Sequence, residues 1–238
     1  MNVAILYSGG KDSNFALHEA QQKGWDVKYL LSVKPTRTDC FLFHYATVEY
    51  TPLLAQMAGI RHILTTCAVA DPTQEADIVK NIVIAEEKID ALVLGGVGLQ
   101  ETQIKSIRKA LAPYQIEVFA MHAELTEEES LRSMLAQGFR IMITQYATDG
   151  LTEEWLGKEL TPENFEAFKK LSEKYGFNLL GEGGYYDTLV IGSPCFNGKE
   201  LRVLSSYTEM ESPLAGHLVI DEAEIVGVKV SPELHHES

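Results

Sequence analysis

Six consecutive residues, Ser8, Gly9, Gly10, Lys11, Asp12 and Ser13, combine two hydroxyls, two adjacent glycines, an ammonium and a carboxylate. The glycine pair lets backbone N–H groups approach an anion without a Cβ in the way. A helix starting just after it aims the positive end of its dipole at the same place. Ser8 and Ser13 add hydroxyl donors and Lys11 adds a point charge. Asp12 fits beside phosphates as a Mg²⁺ ligand or as an orienter of the donors. The stretch therefore reads as a loop for the pyrophosphate part of ATP, the alternative being a plain Gly-rich turn with a capping serine. A Walker loop is excluded, because Ile5 stands at its first glycine position and Asp12 follows the lysine. A dinucleotide fingerprint is excluded too, since no Gly-x-Gly-x-x-Gly is present and the second strand lacks an acidic end.

A second dense constellation reads Gly181-Glu-Gly-Gly-Tyr-Tyr-Asp-Thr-Leu189. Glycines flank Glu182, and Asp187 and Thr188 follow. Two carboxylates and a hydroxyl thus share a constrained turn between short strands, able to face an amine, a ribose or a metal. On spacing alone, a hairpin turn with solvated acids is an equal reading.

Both stretches need a frame. Short apolar runs at 3–7, 27–33, 62–66, 91–95 and 117–122 read as buried strands. Helical patterns at 13–23, 51–58, 74–88 and 101–111 lie between them, and Thr51-Pro52 supplies a cap with proline at the first helical position. Thr126-Glu-Glu-Glu129 is a capping box opening a helix to 137, and 140–147 is the strand that closes the series. Strands separated by helices imply right-handed βαβ units, so the expected fold is α/β with a doubly wound parallel sheet. Around Thr148-Asp149-Gly150 the pattern changes. Thr161-Pro162 caps a helix ending at Gly176, and strands follow at 178–181, 188–192, 201–206 and 217–230. The expected division is an ATP-binding domain at 1–148 and a smaller α+β, substrate-side domain at 149–238. The aromatic-rich segment 40–50 takes no firm element.

Composition bounds the partners. The net charge of −14, from 34 acidic and 20 basic side chains, argues against a surface adapted to nucleic-acid phosphates. A small basic pocket around a nucleotide remains available from Lys11, Lys105 and Arg108. Cys40, Cys67 and Cys195 are far apart, which disfavours disulfides and zinc and suits three small buried hydrophobes in a reducing compartment. No stretch approaches the roughly 20 apolar residues of a membrane span, so no membrane partner is expected and the cytoplasm is the expected location.

The hexapeptide resembles the PP-loop of the N-type ATP pyrophosphatases, which adenylate a carbonyl oxygen before a nucleophile displaces AMP. That resemblance implies an adenine nucleotide alpha hydrolase-like, Rossmann-like fold. Residues 181–190 are similar to the Gly-Glu-Gly-Gly-Glu-(Tyr/Phe)-Glu-Thr-(Phe/Leu)-Val signature of the diphthine–ammonia ligase family. Asp149-Gly-Leu-Thr-Glu-Glu-Trp-Leu-Gly157 and Phe43-His44 resemble the same family, along nearly the whole chain. The resemblance implies ATP-dependent amidation of diphthine on elongation factor 2 with ammonium, with ATP and Mg²⁺ as cofactors and a homodimer as one possible assembly.

Carried over by residue, Ser8, Gly9, Gly10, Lys11, Asp12 and Ser13 bind ATP, with Asp12 also the metal ligand. Lys11, Asp12, Glu182 and Asp187 are the expected catalytic residues. His44, Gln103, Lys105, Glu182, Gly183, Gly184 and Thr188 are expected around the substrate. Tyr185 and Asp187 replace two signature glutamates, Thr102 and Ile104 replace a Tyr and an Arg, and Met121 stands where a Trp is expected.

These edits keep open a paralogous PP-loop ligase acting on another carboxylate. A sulfur-transferring tRNA ligase is disfavoured by the isolated cysteines and the charge. A non-catalytic nucleotide-binding protein is disfavoured by the intact loop. A glutaminase route to ammonia lacks a suitable cysteine, so free ammonium or ammonia from another protein is the expected source.

Overall fold

The computed structural model describes residues 1–37, 43, 47–95, 101–121 and 125–228, with residues 101–103 given by their backbone alone. Five parallel strands form the first sheet: β1 (Asn2–Leu6), β2 (Asp26–Pro35), β3 (His62–Cys67), β4 (Ala91–Leu94) and β5 (Glu117–Ala120). Their spatial order is β3-β2-β1-β4-β5. Helices α1 (Lys11–Gln22), α2 (Thr51–Ala58), α3 (Pro72–Ala85) and α4 (Glu101–Leu111) make the crossovers. The strand order reverses between β1 and β4, which opens a crevice at the carboxyl ends of the strands. Residues 8–13 leave β1 at that point. The doubly wound α/β expectation holds.

Local chemistry starts the helices where the sequence signals them. The Asp71 side chain accepts the N–H groups of Thr73 and Gln74 at 3.0 and 2.9 Å ahead of α3. Before α5 (Glu127–Ala136), Thr126 N–H donates to the Glu129 carboxylate at 2.9 Å, and Glu129 N–H donates to the Thr126 hydroxyl at 3.3 Å. Thr161 and Asn164 make the same reciprocal pair before α6 (Pro162–Tyr175).

Two expectations are corrected. β6 (Arg140–Ala147) does not close the parallel sheet. It pairs antiparallel with β7 (Glu159–Leu160), β8 (Tyr186–Gly192) and β10 (Ala215–Gly227). With β9 (Lys199–Ser212) these form a second sheet in the order β10-β9-β8-β6-β7, which the β6–β10 pairing closes on itself. A buried apolar run has the same pattern in either kind of sheet, so periodicity could not assign its partners. Residues 178–181 form a turn rather than a strand. The Asn178 side-chain oxygen accepts the N–H groups of Leu180 and Glu182 at 2.8 and 3.1 Å, offering the backbone a local partner in place of a ladder.

α1 lies between the two sheets. Its Phe15 and Leu17 share one continuous core with Ile5 of β1, Ile141 of β6, Phe168 of α6 and Leu189 of β8. Each such side chain stabilises by roughly 1.5–3 kcal/mol when fully buried. That shared core fixes the second sheet against the loop at the start of α1. On the opposite face of the first sheet, α3 and α4 cover Leu31, Leu92 and Leu94.

Candidate active site

Gly10 occupies the cap position of α1 and no side chain of the loop caps the helix. The N–H of Lys11 instead donates to Thr188 Oγ1, on β8, at 3.1 Å. Val190 N–H donates to the Gly9 carbonyl at 3.0 Å. The loop therefore runs along the edge of β8, and the two constellations of the sequence meet. Gly9 has φ +83°, and a Cβ there would sit 3.1 Å from Leu54 and 3.3 Å from Thr51 of α2, so backbone and space both call for glycine. Gly95, just past β4, is as constrained. A Cβ on it would lie 2.4 Å from the carbonyl carbon of Asp12. In the sequence Gly95 reads only as the end of a strand.

Hydroxyls line the turn. Ser13 Oγ donates to the Gly10 carbonyl at 3.1 Å, and Ser8 Oγ accepts the Gly10 N–H at 3.3 Å. Lys11 is buried, with Nζ 2.9 Å from the Asp12 carboxylate and 5.3 Å from the centre of the Tyr186 ring. Burial, then the charges of Asp12 and Glu127, push the Tyr186 phenol well above its ordinary value. It stays neutral and donates to the Leu179 carbonyl at 2.6 Å. An anion at this helix start would meet N–H donors, two hydroxyls and one ammonium.

The Asp12 side chain is 21% exposed, and one carboxylate of this kind suits a Mg²⁺ carried mainly by phosphate oxygens. Among the described residues no three His, Cys, Asp or Glu side chains gather into a metal-ligand group.

The second constellation is a glycine turn feeding β8. Gly181, Gly183 and Gly184 have φ of +73°, +105° and +78°, a left-handed run that other residues resist. Glu127 fastens its base, accepting from the Asn178 amide and from Leu179 N–H at 2.8 Å each. In the sequence Glu127 reads only as a favourable charge at a helix start. Nothing local signals its reach to residues 178 and 179.

The remaining residues fall in several places. Thr188, expected beside the substrate, has its hydroxyl on the loop of residues 8–13, where it accepts the Lys11 N–H. Asp187 stands opposite Gln145 of β6, and strand alternation turns it to the face away from Tyr186 and Thr188. Glu182 has its N–H held by Asn178. Tyr185 packs at the margin of the core, its ring 6.5 Å from that of Phe177, and its carbonyl accepts Ala147 N–H at 2.8 Å.

Lys105 is exposed on α4 and lines, with Lys80 and Lys109, a groove of about 440 Å³ between α3 and α4. Arg108 donates to the Val118 carbonyl at 3.1 Å. His44 lies outside the described residues, as does the side chain of Gln103, whose backbone is in α4. Cys67 and Cys195 are buried free thiols. Burial pushes the Cys195 thiol up to about 11, the opposite of an activated nucleophile.

Two family models cover most of the chain. Residues 1–111 match the diphthamide synthase N-terminal domain and residues 126–226 match the diphthamide synthase C-terminal domain. The diphthine–ammonia ligase of Mus musculus is 27% identical, over 89% of this chain and 86% of its own. That of Homo sapiens is 25% identical, over 84% and 82%. A solved structure described as a predicted subunit of tRNA methyltransferase, from Methanocaldococcus jannaschii, is 16% identical with a TM-score of 0.44, covering 82% of this chain and 98% of that one.

Proposed function

Because the chain belongs to the diphthamide synthase family along both of its parts, we propose that it is an ATP-dependent diphthine–ammonia ligase. A carboxylate oxygen of diphthine on elongation factor 2 attacks the α-phosphorus of ATP, and the bond to the bridging oxygen breaks as pyrophosphate leaves. The lone pair of ammonia then adds to the acyl carbon, the carbon–oxygen bond to AMP breaks, and a nitrogen-bound proton is lost. The observation that carries this reading is the hydrogen bond from Lys11 N–H to Thr188. It joins the nucleotide loop to the segment that separates this family from other PP-loop enzymes.

In this reading residues 8–13 take the pyrophosphate part of ATP, and the ammonium of Lys11 meets the charge that builds on the leaving group. Asp12 would hold Mg²⁺, which supplies charge neutralisation at the phosphates. Glu182 and Asp187 serve ammonia and the acceptor, with His44, Gln103, Lys105, Gly183 and Gly184 on the protein-substrate side. Ammonium as the nitrogen source, a homodimer and a cytoplasmic location belong to the same proposal.

A second reading, amidation of a different carboxylate, is supported by Tyr185. A signature glutamate gives way there to a ring used in packing. The deciding experiment incubates the chain with diphthine-bearing elongation factor 2, MgATP and ammonium. AMP and pyrophosphate released in step with amide on the factor support the first reading. Turnover with another carboxylate alone selects the second, and no AMP with any acceptor overturns both.

A further inference from the structure

Asn14 stands one residue beyond the hexapeptide and is wholly buried, at 0% exposure. Its side-chain amide donates to the carbonyl oxygens of Gly9 and Gly10, at 3.0 Å each, and its oxygen accepts the Tyr7 hydroxyl at 2.7 Å. These partners fix the amide's sense, since turning it over would set its oxygen against two carbonyl oxygens. In a trans peptide the C=O and N–H point in opposite directions. Drawing the carbonyls of Gly9 and Gly10 inward therefore turns the N–H groups of Gly10 and Lys11 outward. On that outer side they meet Ser8 Oγ at 3.3 Å and Thr188 Oγ1 at 3.1 Å.

We propose that Asn14, held by Tyr7, is a positioning residue that fixes the backbone of Gly9 and Gly10, and with it the Gly10–Ser8 and Lys11–Thr188 hydrogen bonds that shape the loop taking the pyrophosphate of ATP. The inference rests on residues 8–13 being the ATP site. Tyr7 is itself fixed from behind. Ser32 Oγ donates to its carbonyl at 2.6 Å, and its own N–H donates to the Leu31 carbonyl at 2.7 Å. Burial first, then Cys195, pushes its phenol well above the ordinary value against the opposing effect of the Asn14 hydrogen bond, so it remains a donor. Aspartate at position 14 would keep the shape and the acceptor for Tyr7. It would also press a bare oxygen against two carbonyls and add negative charge behind a polyanion site.

The test is calorimetric titration of the full chain with MgATP and, separately, with inorganic pyrophosphate, alongside steady-state kinetics. For Asn14→Asp we expect both ligands to bind at least about tenfold more weakly, with KM for ATP raised and KM for ammonium unchanged. Tyr7→Phe, which removes one oxygen, should weaken both by about two- to fivefold. A fold defect alone would lower kcat and leave KM for ATP in place. Unchanged affinities in folded Asn14→Asp overturn the inference and leave the loop assignment standing. If Asn14→Asp does not fold, unchanged affinity in Tyr7→Phe does the same. No ATP binding by the unsubstituted chain overturns the loop assignment, and this inference with it.

Discussion

Thr188 caps the helix that starts at Lys11, 177 positions earlier in the chain, by accepting its N–H at 3.1 Å. The residue at the cap position, Gly10, has no side chain with which to do so. A capping hydroxyl supplied from another sheet leaves the helix start sterically open to an anion. It also makes the geometry of the loop at residues 8–13 depend on β8.

Removing that hydroxyl while keeping its shape should therefore affect stability and the loop together. Thr188→Val is expected to cost about 1 kcal/mol, and Thr188→Ser to restore most of it. Denaturant midpoints check the first effect. KM for ATP, raised in Val and near normal in Ser, checks the second.

Lys11→Ala and Asp12→Ala should each lower AMP formation at least about 100-fold while the fold is retained. Lys11 is the buried cation at the turn, and its loss leaves the Asp12 carboxylate facing the phosphates. Pyrophosphate release under single-turnover conditions measures the chemical step, and near-ultraviolet dichroism reports the packing. Unchanged turnover would place the active site elsewhere.

Gly95→Ala should displace the loop, because the added Cβ would fall 2.4 Å from the backbone of Asp12. A cost of about 1–3 kcal/mol is expected, together with loss of ATP binding. Gly227→Ala, with open space around it, should stay within about 0.5 kcal/mol of the unchanged chain. Thermal melts of the two variants with and without MgATP make the comparison.

Cys195 should make stability fall on the alkaline side. Burial raises its thiol from 9.0 to about 11, so the folded chain keeps a proton that the unfolded chain gives up. The contribution is whole below pH 9.0 and is lost as the pH rises towards about 11. Denaturation across that window should be less steep in pH for Cys195→Ala than for the unchanged chain. Native Cys195 should also alkylate far more slowly than the unfolded thiol at pH 8.

Glu127→Gln should loosen the glycine turn without touching the loop at residues 8–13. Its two carboxylate oxygens hold the Asn178 amide and Leu179 N–H. We expect KM for the protein substrate to rise and ATP affinity to stay. An equal rise in both constants would place Glu127 in general folding rather than in the turn.

Much of this was legible in the residues themselves. The parallel sheet and its crossovers follow from apolar runs alternating with helical patterns. The caps at Thr126 and Thr161 act locally, so the structure repeats them. Strand partners were not legible, because the period of β6 is silent about which sheet buries it. The turn at 178–181 is hidden in the sequence for a related reason. Its apolar Leu179 and Leu180 suggest a strand, while the Asn178 side chain satisfies the backbone within the segment.

The sequence by itself determined that residues 8–13 form a turn suited to an anion. Adjacent glycines between an apolar run and a helical pattern leave backbone N–H groups open at a helix start, and that chemistry is local. Only the tertiary structure decided which residues hold the turn in place: Thr188 and Val190 from β8, Gly95 from the end of β4, Tyr7 and Asn14 from behind. Thr188, Val190 and Gly95 act through space rather than along the chain. A hydrogen bond or a close approach spanning tens to hundreds of residues leaves no period or spacing to read. Tyr7 and Asn14 flank the loop in sequence, yet their side chains meet only because the turn folds over them.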